Sequence, residues 1–220
     1  AKQLAIMSVL EKCKQITSFN HCRDETISRK VIGRVLEGGR NAPSPGGVQS
    51  VKFIVVETDE TMEQIEHVVD DSRVEEAPTA VVVLTDRGRM ARRFGREEAI
   101  EACEAESSAA VHNMRLVGSE NGLSTVRFSG FDGEVLGDML TCPDNVVPTD
   151  IVLLGYTDNP VPMSEKYGMN EICYYEEYGN QVGTFFDGPE WEGVSEERRI
   201  FRKKYKGFRD KLSRIIRKVL

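Results

Sequence analysis

The chain has 220 residues, 40 % hydrophobic and 30 % charged, which suits one folded domain and excludes a disordered chain. Its 29 Lys and Arg against 36 Asp and Glu leave a net charge of −7, which makes nucleic acid an unexpected partner. The longest apolar runs, residues 80–84 and 151–154, are far too short to span a bilayer, so no membrane partner is expected.

Residues 4–13 read as a helix, with apolar positions at 4, 6, 9 and 10. Lys2, Glu11, Lys12 and Lys14 interrupt any secretory pattern there, and five scattered cysteines without a C-x-x-C pair fit a reducing compartment, so a cytoplasmic location is expected. A second helix is predicted over 27–40, with Ile27, Val31, Ile32, Val35 and Leu36 on one side and Gly38-Gly39 near its end. The β-branched run at 52–57 predicts a buried strand, the acid-led stretch 59–70 a short helix, and 80–85 a second strand. The longest helix is expected over 97–121, stopping before Gly122. A further helix follows over 131–140, and a third buried strand over 150–156. Pro160 and Pro162 then keep the chain irregular to about residue 171. Helices interleaved with a few buried strands indicate a layered α/β or α+β domain.

The last segment, 195–220, carries eleven Lys or Arg against three acids, leaving −15 on the first 194 residues. Phe201, Tyr205, Phe208, Leu212, Ile215 and Val219 make an apolar stripe on a basic helix. That helix either binds an anionic partner or packs on the body or a partner subunit. The second is favoured, because a charge run is usually a helix's solvated face. The domain division is therefore residues 1–194 and the helix 195–220.

Three segments carry the signs of a site. In the first, Pro43 stiffens a turn, Ser44 offers a hydroxyl, Gly46-Gly47 permit close backbone approach, and Gln49 precedes a strand. A Gly-marked turn, Gly122-Leu123-Ser124-Thr125, leads to a second, Ser129-Gly130-Phe131-Asp132. The third runs from Gly155-Tyr156 to Tyr174, Tyr175 and Tyr178. His21, His67 and His112 lack a companion ligand pair at zinc spacing, so no metal is assigned. Glu97, Glu98, Glu101, Glu104 and Glu106 read as a solvated helix face, and Cys103 and Cys142 as small hydrophobes.

In order and spacing, these segments resemble the nitroreductase family of flavin enzymes. The family's A-P-S-x-G-N-x-Q pattern is matched by Ala42, Pro43, Ser44, Gly46 and Gln49, and its A-A-x-N-x-x-L helix by Ala109, Ala110, Asn113 and Leu116. The turn at 122–125, Gly130-Phe131-Asp132, Gly155-Tyr156 with Pro160 and Pro162, and Glu171 to Gly179 are similar to its later motifs. The resemblance implies an α+β, three-layer fold: a central, mostly antiparallel sheet flanked by helices, in an intertwined homodimer with FMN at the subunit interface. It implies hydride transfer from NAD(P)H through flavin N5 to a nitro compound, quinone or other small electrophile, with no catalytic side chain assigned. FMN contacts are expected from Ser18, Asn20, Pro43, Ser44, Gly46, Gln49, Leu123, Ser124, Ser129, Gly130 and Lys166. The family's phosphate-gripping R-R-S-x-R aligns with Ile16-Thr17-Ser18-Phe19-Asn20, where only the serine remains. Two lost charge-assisted hydrogen bonds, at about 1.5–3 kcal/mol each, weaken FMN roughly a hundredfold to ten-thousandfold unless another cation replaces them. Lys166 is the expected replacement, with Lys14 and Arg23 nearby. The alternative reading is a non-catalytic binding protein with a weakened flavin site and a basic tail for an anionic partner.

Overall fold

A computed structural model describes residues 8–181 and Gly193. Contacts divide the chain into two units, Ala1–Met163 and Ser164–Leu220. The boundary expected at 194/195 and the helix expected over 195–220 lie outside the described residues. In chain order the first unit contains α1 (Val9–Lys14), β1 (Thr17–Ser18), α2 (Arg29–Arg40), a 3-10 turn (Pro45–Gly47), β2 (Val51–Val56), α3 (Asp59–Val69), α4 (Arg73–Glu76) and β3 (Thr79–Asp86). It continues with α5 (Arg87–Phe94), α6 (Arg96–Glu120), β4 (Ser124–Phe128), α7 (Gly133–Met139), β5 (Val146–Gly155) and β6 (Val161–Pro162).

The central sheet is fully antiparallel in the order β2-β3-β5-β4, which leaves β2 and β4 as edges; β1 and β6 form a separate two-stranded ribbon. Period-two alternation splits its residues between two cores. Ala80, Val82, Leu84, Ile151 and Leu153 face Met62 and Ile65 of α3, Val74 of α4 and Leu136 of α7. Val81, Val83, Val152 and Leu154 face Ile32 and Val35 of α2 and Val111 and Met114 of α6. The result is the expected three-layer sandwich of helices, sheet and helices.

Helix α2 starts where the Ser28 hydroxyl caps Val31 N–H. Gly38 and Gly39 do not stop it. A Cβ on Gly38 would lie 2.8 Å from Val117 Cγ2, and one on Gly39 2.7 Å from Phe53 Cζ, so the pair lets α2 press onto α6 and the sheet. The short elements β1, α4 and β6 have no sequence signal, and two longer ones are also missed. Helix α5 is so rich in arginine that only Met90 marks its buried side, and β4 was read as part of a turn. In the second unit, α8 (Met169–Ile172) precedes a tight turn in which the Tyr174 and Tyr178 rings lie 4.6 Å apart.

Candidate functional site

The antiparallel registers place four connections at one end of the sheet: the loop before β2, the start of α5 after β3, the turn after β4, and the entry to β5. The expected residues Pro43, Ser44, Gly46, Gln49, Ser129 and Gly130 therefore share that end. Ser18, Leu123 and Ser124 lie at the other, roughly 17 Å away along β4 at about 3.4 Å per residue.

The loop before β2 is held from several sides. Gln49 is exposed and adopts a left-handed φ of 55°, a conformation costing a side-chain-bearing residue about 1–3 kcal/mol. Its N–H donates to Ser44 Oγ at 2.8 Å, and its carbonyl accepts from Arg89 Nη1 at 2.9 Å. The next residue, Ser50, is fully buried and donates both its N–H (3.1 Å) and its hydroxyl (2.6 Å) to the Glu106 carboxylate. Glu106 is thus a buried anchor, correcting its assignment to a solvated face; its setting among Ala105, Ser107 and Ser108 rather than further acids is the sequence signal that distinguishes it. Gly46 has φ 57°, and a Cβ there would come within 2.9 Å of Phe94 Cζ, so the turn needs glycine twice over. Ser44 Oγ accepts within the loop, and its hydroxyl donates to no acceptor among the described residues.

Across the sheet end, Ser129 and Gly130 form an exposed turn in which Gly130 has φ 82° and a Cβ would meet nothing within 4 Å. This turn opens onto a cleft of about 610 Å³ lined by Arg87, Ser108, Arg127, Ser129, Gly130 and Asp150, within the size range of small-molecule sites. Below it, Asp150 is 2 % exposed and accepts from Ser107 Oγ and Arg127 Nε, both at 2.6 Å; Arg127 also donates to Ser108 Oγ at 3.1 Å. A bulge opposite Val83/Leu84 adds Thr149, which donates to Ser107 Oγ at 2.8 Å. Arg127 and Asp150 were not singled out in the sequence.

At the far end, Ser18 pairs with Val161, and Thr17 and Ser124 join their hydroxyls at 2.7 Å. Asn20 is exposed. Ser124 begins β4 rather than sitting in a turn, and the Leu123 side chain is buried in the core beside α6, leaving only its backbone for a ligand. Lys166 is exposed in the second unit. Arg23 is engaged by Glu25 at 3.2 Å and stacks on Tyr156. His21 is hydrogen-bonded to Glu76.

Residues 21–72 match the sequence model of the nitroreductase family. Among solved structures, a nitroreductase family protein from Clostridium difficile aligns at a TM-score of 0.64 and 25 % identity, covering 78 % of this chain and 99 % of that one. Nitroreductase A from Vibrio parahaemolyticus aligns at 0.71 and 19 % identity, covering 80 % and 79 % of the two chains. The chain has the nitroreductase fold. A nitroreductase family protein from Streptococcus pneumoniae shares it, at a TM-score of 0.66 and 20 % identity over 76 % of this chain and all of that one. No curated protein matches in sequence. On this nitroreductase fold the glycine turn at 46–47 stands at the β2 edge and the Ser129–Gly130 turn with its cleft at the β4 edge of the same sheet end, while the Thr17–Ser124 hydroxyl pair lies at the other end of β4.

Proposed function

We propose that the chain is an FMN-dependent oxidoreductase that takes hydride from NAD(P)H and reduces a nitro compound, quinone or other small electrophile, working as a homodimer. The observation that carries this reading is that the strained, exposed Gln49, at the β2 edge, and the open Ser129–Gly130 turn with its cleft, at the β4 edge, stand at the same end of the sheet. Backbone strain held in place from several sides is a mark of a functional site, and the match to the nitroreductase family over 21–72 supports the choice of ligand.

FMN supplies the hydride chemistry when bound, so the chain needs no catalytic triad or metal. Gln49 and the Ser44 hydroxyl offer polar contacts to a heteroaromatic edge, and Pro43 and Gly46 shape a surface with little side chain to obstruct it. Ser129 and Gly130 present backbone N–H groups at an exposed turn. Ser18 and Asn20, with Leu123 and Ser124 beside them, are assigned to the phosphate end. In a homodimer the loop of one subunit would face the Ser129 turn of the other.

The test is equilibrium dialysis of the purified protein with FMN, followed by NADH and NADPH oxidation with menadione or a nitroaromatic as acceptor. Saturable uptake of one FMN per chain and acceptor-dependent oxidation of either donor are expected. Failure to take up FMN overturns the reading, and uptake without turnover returns the chain to a non-catalytic binding role.

A further inference from the structure

One cation on α6, Arg115, has no acidic counterpart among the described residues. Arg115 is half-buried and donates Nε–H to Thr125 Oγ1 at 3.0 Å; its one other hydrogen-bond partner among the described residues is the Met163 sulfur, 3.5 Å from Nη2. Among the described residues no carboxylate lies within ion-pairing distance of it. Another cation, Arg127, already bound to Asp150, is close enough to repel it; burial first, and Arg127 second, pull the Arg115 pKa below the usual arginine range. A partly desolvated guanidinium without a counterion is costly, and its position is informative. Thr125 follows Ser124, which holds Thr17. The β1–β6 register, Thr17 to Pro162 and Ser18 to Val161, continues to place Ile16 opposite Met163. The Arg115 guanidinium therefore stands next to the strand position where the resemblance expects an arginine and this chain has Ile16, turned into the core at 2 % exposure.

We propose that Arg115 supplies the cationic contact to the FMN phosphate, reaching from α6 to the place of the two cations missing from the Ile16–Asn20 stretch. The assignment rests on the flavin reading above. The ligand chemistry is a phosphate monoester: the remaining N–H groups of the guanidinium form a planar fork suited to two phosphate oxygens, with the Ser18 hydroxyl on the adjacent ribbon. Riboflavin shares the ring and lacks that group, which isolates the contact.

FMN and riboflavin are titrated by quenching of flavin fluorescence into the intact protein and into Arg115→Gln, Arg115→Lys and Lys166→Ala. Arg115→Gln is expected to raise the FMN dissociation constant about tenfold to a hundredfold and to leave that for riboflavin unchanged. Arg115→Lys restores part of the difference. Retention of the wild-type preference for FMN in Arg115→Gln overturns the assignment, most directly if Lys166→Ala abolishes that preference; so does an equal loss of both flavins. Wild-type protein that binds neither flavin overturns the functional reading and this assignment together. Fold is checked independently, with inorganic phosphate as the probe. Arg115→Gln should melt no lower than wild type without ligand, since it removes an uncompensated charge, and should lose the stabilisation that phosphate gives the wild type. A lower melting temperature with that stabilisation intact assigns Arg115 to structure and overturns the proposal.

Discussion

The two ends of β4 meet the same physical problem with opposite solutions. At the Ser129 end each buried acid is satisfied within the protein: Glu106 by Ser50, and Asp150 by Ser107 and Arg127. At the Ser18 end the half-buried charge is a cation, Arg115, whose hydrogen-bond partners among the described residues are a threonine hydroxyl and a thioether. One end is preorganised by the fold, and the other is left to be completed by an anion. Breaking the self-sufficient end should therefore cost stability, while altering the incomplete end should cost affinity. Arg127→Ala is the largest expected break, because it leaves Asp150 charged in a site 2 % exposed. Losing one partner of a buried pair costs about 3–5 kcal/mol; one-third exposure of Arg127 reduces this to about 2–3, a fall in Tm of roughly 5–10 °C. A variant that melts with the wild type would show that the pair does not hold the sheet end.

Glu106 sharpens the comparison. Glu106→Ala strands the buried N–H and hydroxyl of Ser50, at about 1–3 kcal/mol, whereas Glu106→Gln keeps an acceptor and should cost less than half as much. Because Ser50 fixes the residue after Gln49, both variants should weaken FMN and riboflavin together, unlike Arg115→Gln. Chemical denaturation and the paired flavin titrations measure the two effects. A selective loss of FMN in Glu106→Ala would erase the distinction between the ends.

The layered fold was legible because its strands are β-branched runs and its helices amphipathic, signals that survive in a single sequence. Helix α5 was not, since four of its eight residues are arginines and one buried methionine leaves no periodic stripe. β4 escaped for a related reason: an edge strand beginning S-T and carrying Arg127 outward lacks the apolar run of a central strand. In the site, glycine and proline announced the loops, because unusual backbone needs unusual residues. The polar anchors did not announce themselves. Glu106, Asp150 and Arg115 resemble surface charges in composition, and only the register that brings β2, β5 and β4 against α6 separates them from Glu97 or Glu104.

The smallest effect lies at Asp86, at the Ser129 end, which caps α5 by accepting from Arg89 N–H at 2.8 Å and also accepts from Asn145 at 2.9 Å. Burial pushes its pKa up, but those bonds and the nearby Lys52 outweigh it and hold the group below its ordinary value of 3.8. A depressed folded pKa means that this stabilisation is present above the unfolded value and is lost as pH falls through the folded one. Asp86→Asn keeps a capping oxygen and removes the titration. The stability difference between wild type and variant should thus be flat from neutral pH to about pH 5 and shrink by about 0.5–1 kcal/mol on acidification below pH 4. Since Arg89 also holds the Gln49 carbonyl, the flavin-facing loop should loosen over the same interval, seen as faster proteolysis near Gly46-Gly47 in wild type than in Asp86→Asn. A difference that grows on acidification would reverse the sign and remove Asp86 from the scaffold of that loop.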